Sequence, residues 1–591
     1  MLDVLRKPLT SSLVERGWLI AACALIAYVA LASPHVVDGD SAEFSTLAAI
    51  GGRAHPSGYP LYVLWLRAWS WLPGATPAHT AAIATAILGA LAIGVLHAAC
   101  RAWGARPLAA TITVAILAAA PVVQRYHCEA EAFAMNNLVA GLVLWLAAGA
   151  GPLRGWQRSA MLGLVAGLGL ADHLTCALIA PIGVLGVVRG AREAGAADAT
   201  RGASGPRAAL AVAGAVLGIA VGLLPYGYLV IADGPAAWGN VWTLADVVAM
   251  ITRHDYGGAS SFLLDGVDVP WTASVAACFA TIARSWLWGL AVAGVVMLGV
   301  RIWRPARETR WAWALLAASF VLAGPVLAAQ FNIDPHGLGL YVCQRFHILP
   351  ALLLVVPISA LIDLACARIA RPRLATALAV LGFAALTLAG WPGLVRLHSP
   401  ALELGVRNLL RSLPPDAIVV VRADDQCFGG RYLQLARGER RDVALVCAGL
   451  LPTRWYRAAW ALRALALPPG ARTRLGAALL TTNRAVFVDP TLTELLTSFP
   501  SYPFGVVRRV LRPTERPPSA HEVARINRAL YEAFELDYPH PSAADDYAAL
   551  AHHRYAASWA AIARLLDASG DRNAARDAFE VTRQLQPTPA E

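Results

Sequence analysis

The sequence predicts a mainly α, polytopic membrane protein with about eleven transmembrane helices. A soluble α/β domain and a terminal helical hairpin of tetratricopeptide-like (TPR-like) character are expected to follow. Three observations carry this expectation. Of 591 residues, 57% are hydrophobic and only 15% charged, and the mean hydropathy is +0.54, more apolar surface than a soluble chain of this length hides. The dense apolar runs recur as far as Leu394 and then stop. Beyond that point, short β-branched runs alternate with helical stretches. The expected division is therefore a transmembrane part over 1–394, an α/β domain over 395–515 and a helical segment over 516–591.

The first apolar run, 17–33 (GWLIAACALIAYVALAS), has no small-residue cleavage site and meets acidic residues at once, so it reads as a retained span and not a cleaved signal. Further runs follow at 79–100, 107–124, 132–149, 159–171, 174–188, 208–231, 284–300, 311–329, 346–366 and 374–391. The segment 59–73 (YPLYVLWLRAWSWLP) is short, aromatic and carries Arg67, which suits an interfacial position. Placed there, it leaves the arginine-rich connections 101–106, 150–158, 189–207, 301–310 and 367–373 on one side of the bilayer. The positive-inside rule makes that side cytoplasmic, together with Arg6, Lys7 and Arg16. An odd number of spans then sends the C-terminal part outside.

The net charge of +11 is almost wholly arginine, with Lys7 the only lysine. No basic stripe is interleaved with aromatics, so no nucleic-acid partner is expected. The nine cysteines show no metal-type spacing, and most read as small core residues. Cys427 and Cys447 lie in the soluble part, where a disulfide between them is open. There, AIVVVRA (417–423), DVALVCAG (442–449) and AVFVDP (485–490) read as strands, with a helix near 429–437 between the first two. Asp424 and Asp425 follow a strand, where a turn cap is the expected role. The stretch YAASWAAIARLLDASGDRNAARDAFEVTRQLQP gives the terminal hairpin, with GD in its turn.

The loops on the outer side collect the ionisable residues. The first, PHVVDGDSAEF, holds Asp38, Asp40 and Glu43 at the end of the first span, and HPSGYP with His55 and Tyr59 follows. The second, QRYHCEAEAFAMNN, holds Arg125, His127, Glu129 and Glu131. The third brings Asp172 and His173, and the fourth (232–283) brings Trp238, Asn240 and Arg253. The fifth carries Asp334, His336 and Arg345. Most charges beside a span are solvated caps. Asp172, His173 and Arg345 instead interrupt or border apolar stretches, where an ionisable group is costly and turns toward a bundle interior or a wet cavity.

A carboxylate held at the membrane surface suits chemistry on a lipid-linked substrate, because it can take the proton of an attacking hydroxyl. Asp40 is the first choice as that base. Glu43, three residues on, shares its face in a helical turn, where it would raise the Asp40 pKa or hold an acceptor group. Glu131 is the rival base or a sugar ligand. Arg345 and then Arg253 are the candidate phosphate forks. His55 is a phosphate or acceptor contact in a turn made rigid by Pro56, Gly58 and Pro60. Asp40, Glu43 and His173 are the set that would hold a divalent metal. No metal and no other cofactor is expected.

The motif DSAEF (40–44) followed by HPSGYPLY (55–62) resembles the DSGE…HPPGYPLY signature of the transmembrane protein 260-like protein O-mannosyltransferases. AEAFAMN (130–136) is similar to the family's AEVYxLN, and ADHLT (171–175) to its NHHT-type motif. AWGNVWT (237–243) with RHDYG (253–257), and the stretch from LPPDAIVVV to RRDVALV, extend the resemblance over roughly 15–460. Ala42 stands where the family has glycine, Ser57 where it has proline, and Asp172 where asparagine is common. None of these removes an acid–base group, so they bear on substrate detail.

The resemblance implies a GT-C-like glycosyltransferase of the bacterial inner membrane, active on the outer side. It would move mannose from a polyprenyl-phosphate carrier to a Ser or Thr of an exported protein, with inversion through an oxocarbenium-like state. It implies substrate-binding roles for His55, Tyr59, Arg125, His173, Trp238, Asn240, Arg253 and Arg345, with membrane lipid as the surrounding partner. Transfer onto an envelope glycan or lipid would use the same hydroxyl attack. A transporter or flippase is the alternative outside transferase chemistry, although the chain shows no clear inverted repeat and its polar residues collect on one side.

Overall fold

Helices occupy the apolar runs of this chain. In the computed structural model, residues 17–589 are described apart from 38, 72–75, 200–206, 257–268, 304–306, 368–371, 462, 464, 466, 469–471 and 544–545. Asp38, Arg6, Lys7, Arg16 and Gly257 therefore lie outside the described residues. Five helices are long and apolar enough to cross a bilayer: Pro77–Ala102, Leu174–Ala196, Arg207–Ile231, Thr309–Val326 and Leu374–Val395. Three bent pairs raise the number to eight if each pair is one span. Trp18–Leu31 and Phe133–Ala147 are shorter apolar helices. The protein is a mainly helical, integral membrane protein with five to eight candidate spans among the described residues, fewer than the eleven runs suggest.

Part of the difference lies in breaks within the runs, and part in helices shorter than their runs, such as Trp18–Leu31 and Phe133–Ala147. Pro107–Ala118 bends by 73° into Pro121–His127, where a proline without an N–H restarts the helix. Trp271–Ser285 turns by 103° into Gly289–Trp303 through Leu287 and Trp288, both at positive φ. The doubtful aromatic segment forms the helix Pro60–Ala68, nine residues long. At 1.5 Å per residue it reaches about 14 Å, too short to cross about 30 Å of hydrocarbon.

The C-terminal region holds a small mixed sheet of β1 (Ile418–Val421), β2 (Ala444–Cys447), β3 (Val486–Val488), β4 (Ser501–Phe504) and β5 (Val507–Val510). Its order is β2-β1-β3-β5-β4, with β2, β1 and β3 parallel and the β4–β5 hairpin antiparallel to β3. The first three strands match the valine-rich runs. The hairpin is new. Pro503 sits in the edge strand β4, where a missing donor is tolerated, and Gly505 at φ 57 makes the tight turn. The helix after β1 is Asp424–Arg431, earlier in the chain than expected, and a wider turn extends it to Ala436. A disulfide joins Cys427 on that helix to Cys447 at the end of β2. The terminal hairpin pairs Asp546–Ala568 with Arg572–Leu585 and encloses Trp559, Ile562 and Leu566 with Val523.

Two contacts bring this region over the membrane part. The helix Asp424–Arg431 and its extension pack on the short helix Ser41–Ile50, which follows the first apolar helix. The helix Ala401–Ser412 reaches the same loop, where Glu403 Oε2 accepts from the Val36 N–H at 3.1 Å.

Candidate active site

The site is assembled around the start of Ser41–Ile50. Asp40 occupies its N-cap position and Glu43 its first turn, where acidic groups favour the helix dipole. Gly39 turns the chain into this helix at φ 72, a conformation that glycine adopts without strain. A Cβ there would also lie 3.0 Å from Glu131 Oε1 and 3.4 Å from Arg345 Nη1, so the turn and the close approach both require glycine.

That approach lets three chain segments meet. Arg345 Nη1 donates to Asp40 Oδ2 at 2.9 Å and to Glu131 Oε1 at 3.1 Å. Glu131 Oε1 also accepts from the Asp40 N–H at 3.3 Å. The Arg345 guanidinium lies 5.6 Å from the rings of both Phe133 and Phe346, which favour a cation between them. On the other side, Glu43 Oε1 accepts from the His55 N–H at 3.0 Å, and Oε2 meets His55 Nδ1 at 2.5 Å. His55 Nε2 then stands 3.9 Å from Asp40 Oδ1. Glu43, His55, Asp40, Arg345 and Glu131 thus form one unbroken chain of ionisable groups, and Glu131 is 0% exposed.

The electrostatics follow from this order. Burial alone would lower the His55 pKa, but the Asp40 and Glu43 carboxylates push it up to about 9, so the imidazole is cationic at neutral pH. Burial presses the Asp40 pKa up, while Arg345 and His55 overcome it and hold the carboxyl below its usual range. Burial raises the Glu131 pKa, and Arg345 offsets only part of that. Glu43, expected to raise the Asp40 pKa or to hold an acceptor group, has its carboxylate engaged with His55, which stands between the two.

A stability test comes with the histidine. His55 is raised from its ordinary 6.5, so the stability it brings is complete below pH 6.5 and is lost as the pH climbs through about 9. The melting-temperature gap between the parent and His55→Gln should shrink over that interval. A gap independent of pH would show that the imidazole is uncharged.

Other expected residues gather nearby. The Tyr59 ring lies 5.0 Å from His55 and 5.6 Å from His173. His173 sits at the break after Gly155–Asp172, with Nδ1 accepting from the Thr175 N–H at 3.1 Å and its ring 4.8 Å from Phe133. Arg253 is near enough for its charge to act on both Tyr59 and His173. The Trp238 ring is 6.3 Å from His55, and its indole N–H donates to Asp255 Oδ2 at 3.3 Å.

Two expected residues stand apart from the cluster. Arg125 belongs to an adjacent buried network, pairing with Glu129 at 3.3 Å and lying 3.9 Å from the Tyr341 ring. Asn240 is exposed and lines a separate cavity of about 740 Å³ with Arg431 and Trp455. His127 is buried against Tyr28, and Asp334 and His336 pair on the surface. Among the described residues, no three His, Cys, Asp or Glu side chains are grouped to hold a metal ion.

Arg53 escaped the sequence reading. It is 0% exposed and donates to the carbonyls of Trp238 at 3.1 Å, Leu229 at 3.1 Å, Gly239 at 2.8 Å and Ala232. It pins the fourth loop onto the first, and Trp238 returns its N–H to the Arg53 carbonyl at 3.0 Å. The available signal was an arginine between a glycine pair and His55 with no acidic neighbour in sequence.

The molecule is thus a helical membrane protein with a carboxylate–arginine–histidine cluster where its first apolar helix ends, covered by a mixed-sheet region. Residues 40–194, which supply Asp40, Glu43, His55, Arg125, Glu131 and His173, match the family described as Protein O-mannosyl-transferase TMEM260 N-terminal domain. The mouse (Mus musculus) Protein O-mannosyl-transferase TMEM260 is 25% identical over 446 residues, covering 71% of this chain and 60% of the mouse protein. The chain therefore spans about three fifths of that relative's length. Crystal structures of ArnT from Cupriavidus metallidurans are similar in part. The form bound to undecaprenyl phosphate has 14% identity and a TM-score of 0.47, over 85% of this chain and 99% of ArnT. The apo form has 14% identity and a TM-score of 0.48, over 84% and 97%.

Proposed function

We propose that this chain is a GT-C type membrane glycosyltransferase. It moves a sugar, mannose, from a polyprenyl-phosphate carrier to a Ser or Thr hydroxyl of an exported protein, with inversion. One observation carries the reading: a carboxylate and a guanidinium are joined at 2.9 Å beyond the end of the first apolar helix, Asp40 from the first residue of the family match and Arg345 from a helix beyond its end.

The chemistry follows from that pair. Arg345 uses Nη1 for both carboxylates, and its buried Nε has no partner in the cluster, so the fork has a donor to offer a phosphate. A donor phosphate that takes Arg345 relieves Asp40 of its counter-ion and raises its basicity. Asp40 then accepts the proton of the attacking hydroxyl. The hydroxyl oxygen bonds to the sugar carbon as the bond to the phosphate oxygen breaks on the opposite face, and the polyprenyl phosphate leaves with that electron pair. Glu43 orients His55, and the histidinium supplies a second cation near the departing phosphate. Glu131 keeps the Asp40 turn in place.

The reading also includes a cytoplasmic N-terminus, about eleven spans and an outer position for the site and the C-terminal region. The arginine-rich connections support it. So does the Cys427–Cys447 disulfide, a bond that persists in oxidising compartments. Intact-mass comparison of exported proteins from a bacterium lacking this chain and from its parent tests the function. The expected result is loss of hexose-bearing forms in the deletion strain. Unchanged exported proteins alongside a missing glycan or lipid hexose would move the acceptor to another class.

A further inference from the structure

Two neighbouring clefts outside the charged cluster share part of their lining. The larger, about 640 Å³, lies where β1 and β3 end, between the residues that follow them and the helix Asp546–Ala568. Carboxyl ends of parallel strands are where α/β sheets place binding groups. The smaller, about 290 Å³, is bordered by Trp238, Asp255, Phe428 and Thr453. Arg422 and Asp424 line both. The small cleft ends at Trp238, 6.3 Å from the His55 ring. Asp424 is close enough for the charges of Asp40, His55 and Glu43 to act on it.

We propose that the two clefts form one groove that holds the acceptor as an extended polypeptide. It runs from the C-terminal helical hairpin, past Gln426 and Asp424, to Asp40. This rests on the preceding reading that the acceptor hydroxyl belongs to a protein.

The lining of the larger cleft selects that chemistry. Much of its wall is aliphatic, with Val506, Val507, Leu550 and Ala561, the carboxylates of Asp424 and Asp489 stand beside them, and among the described residues no aromatic ring lines it, which disfavours a glycan that needs a ring to stack on. Its arginines are already engaged with the protein. Arg422 donates to the Thr491 carbonyl at 3.2 Å, Arg508 to Ser501 Oγ at 3.0 Å, and Arg554 grips Asp425. Their engagement disfavours a free anion. Gln426 is 3% exposed, and its amide oxygen is buried without a hydrogen-bond partner among the described residues. A buried amide oxygen without a donor is costly, and a peptide N–H laid along the cleft is the donor it lacks. Aliphatic walls with a bare amide acceptor fit a small-residue peptide backbone. The aromatic end beside Asp424 then receives the residue that carries the hydroxyl.

The test uses the purified full chain in lipid nanodiscs with polyprenyl-phosphate mannose. Two acceptors are compared, a short Thr/Ser/Pro/Ala peptide and N-acetyl-threonine amide, which is too small to extend into the larger cleft. Ala557, which is exposed and lines that cleft, is changed to Trp to fill it. The ratio of peptide KM to threonine-amide KM should rise about tenfold, the equivalent of about 1.4 kcal/mol. Gln426→Leu should move the ratio the same way. An unchanged ratio in both variants, with the parent active on both acceptors, overturns the groove and leaves the transferase reading standing. A parent that transfers to neither acceptor overturns that reading, and the groove with it.

Discussion

Asp40→Asn is expected to assemble like its parent and to transfer sugar about 10²- to 10⁴-fold more slowly, the range for loss of a positioned general base. The substitution keeps the shape of the side chain and leaves an oxygen for Arg345 Nη1, which donates to Asp40 Oδ2 at 2.9 Å. Asparagine is also as good a residue at a helix N-cap as aspartate. What it loses is the ability to take a proton. The fall should appear in kcat, with the donor KM no higher than the parent's, because a phosphate that binds Arg345 then has one carboxylate fewer to displace. A matching fall in melting temperature would instead mark Asp40 as a structural counter-ion.

Arg345→Ala is expected to damage both fold and function. Two carboxylates share this guanidinium, and Glu131 is 0% exposed. Removing one partner of a buried ion pair costs about 3–5 kcal/mol. Glu131 has an escape, since burial already raises its pKa, and without Arg345 it takes up a proton. The stability loss should therefore be greatest at high pH and shrink as the pH falls, which thermal unfolding across pH measures. Adding Glu131→Gln should recover part of the stability and none of the transfer. The mismatch between those two recoveries separates the structural role from phosphate binding. Arg345→Lys keeps a charge but loses the planar fork, so its donor affinity should fall even where the fold holds.

Much of this architecture was legible because it is local. Hydropathy marks helices at each apolar run, and the valine-rich segments 418–421, 444–447 and 486–488 announce three strands. The GD turn at 570–571 gives the terminal hairpin. Acidic spacing after the first span pointed to Asp40 and Glu43, the acidic second loop to Glu131, and a lone arginine beside an apolar run to Arg345. The breaks at Pro121 and at Leu287–Trp288 were not legible, since composition stays apolar across a bend. The β4–β5 hairpin was hidden by Pro503 and by Arg508 and Arg509, which disturb the apolar pattern of a strand.

Convergence in space was the other blind spot. Sequence put Arg125 and Asn240 with the rest, but nothing local shows that Arg125 turns to Glu129 and that Asn240 faces another cavity. Nothing local showed that Arg53 holds four carbonyls, or that the helix after β1 packs on the acidic helix. Glu43 lies three residues from Asp40, yet its charge goes to His55, and Asp40 keeps the counter-ions that hold it ionised.

Single-turnover transfer by the purified chain, with the anomeric configuration of the product determined, tests the central claim most directly. Polyprenyl-phosphate mannose and a Thr-bearing peptide should give a mannosyl-threonine of inverted configuration, and Asp40→Asn should give almost none from the same bound donor. Retained configuration, or undiminished transfer by Asp40→Asn, would contradict the claim.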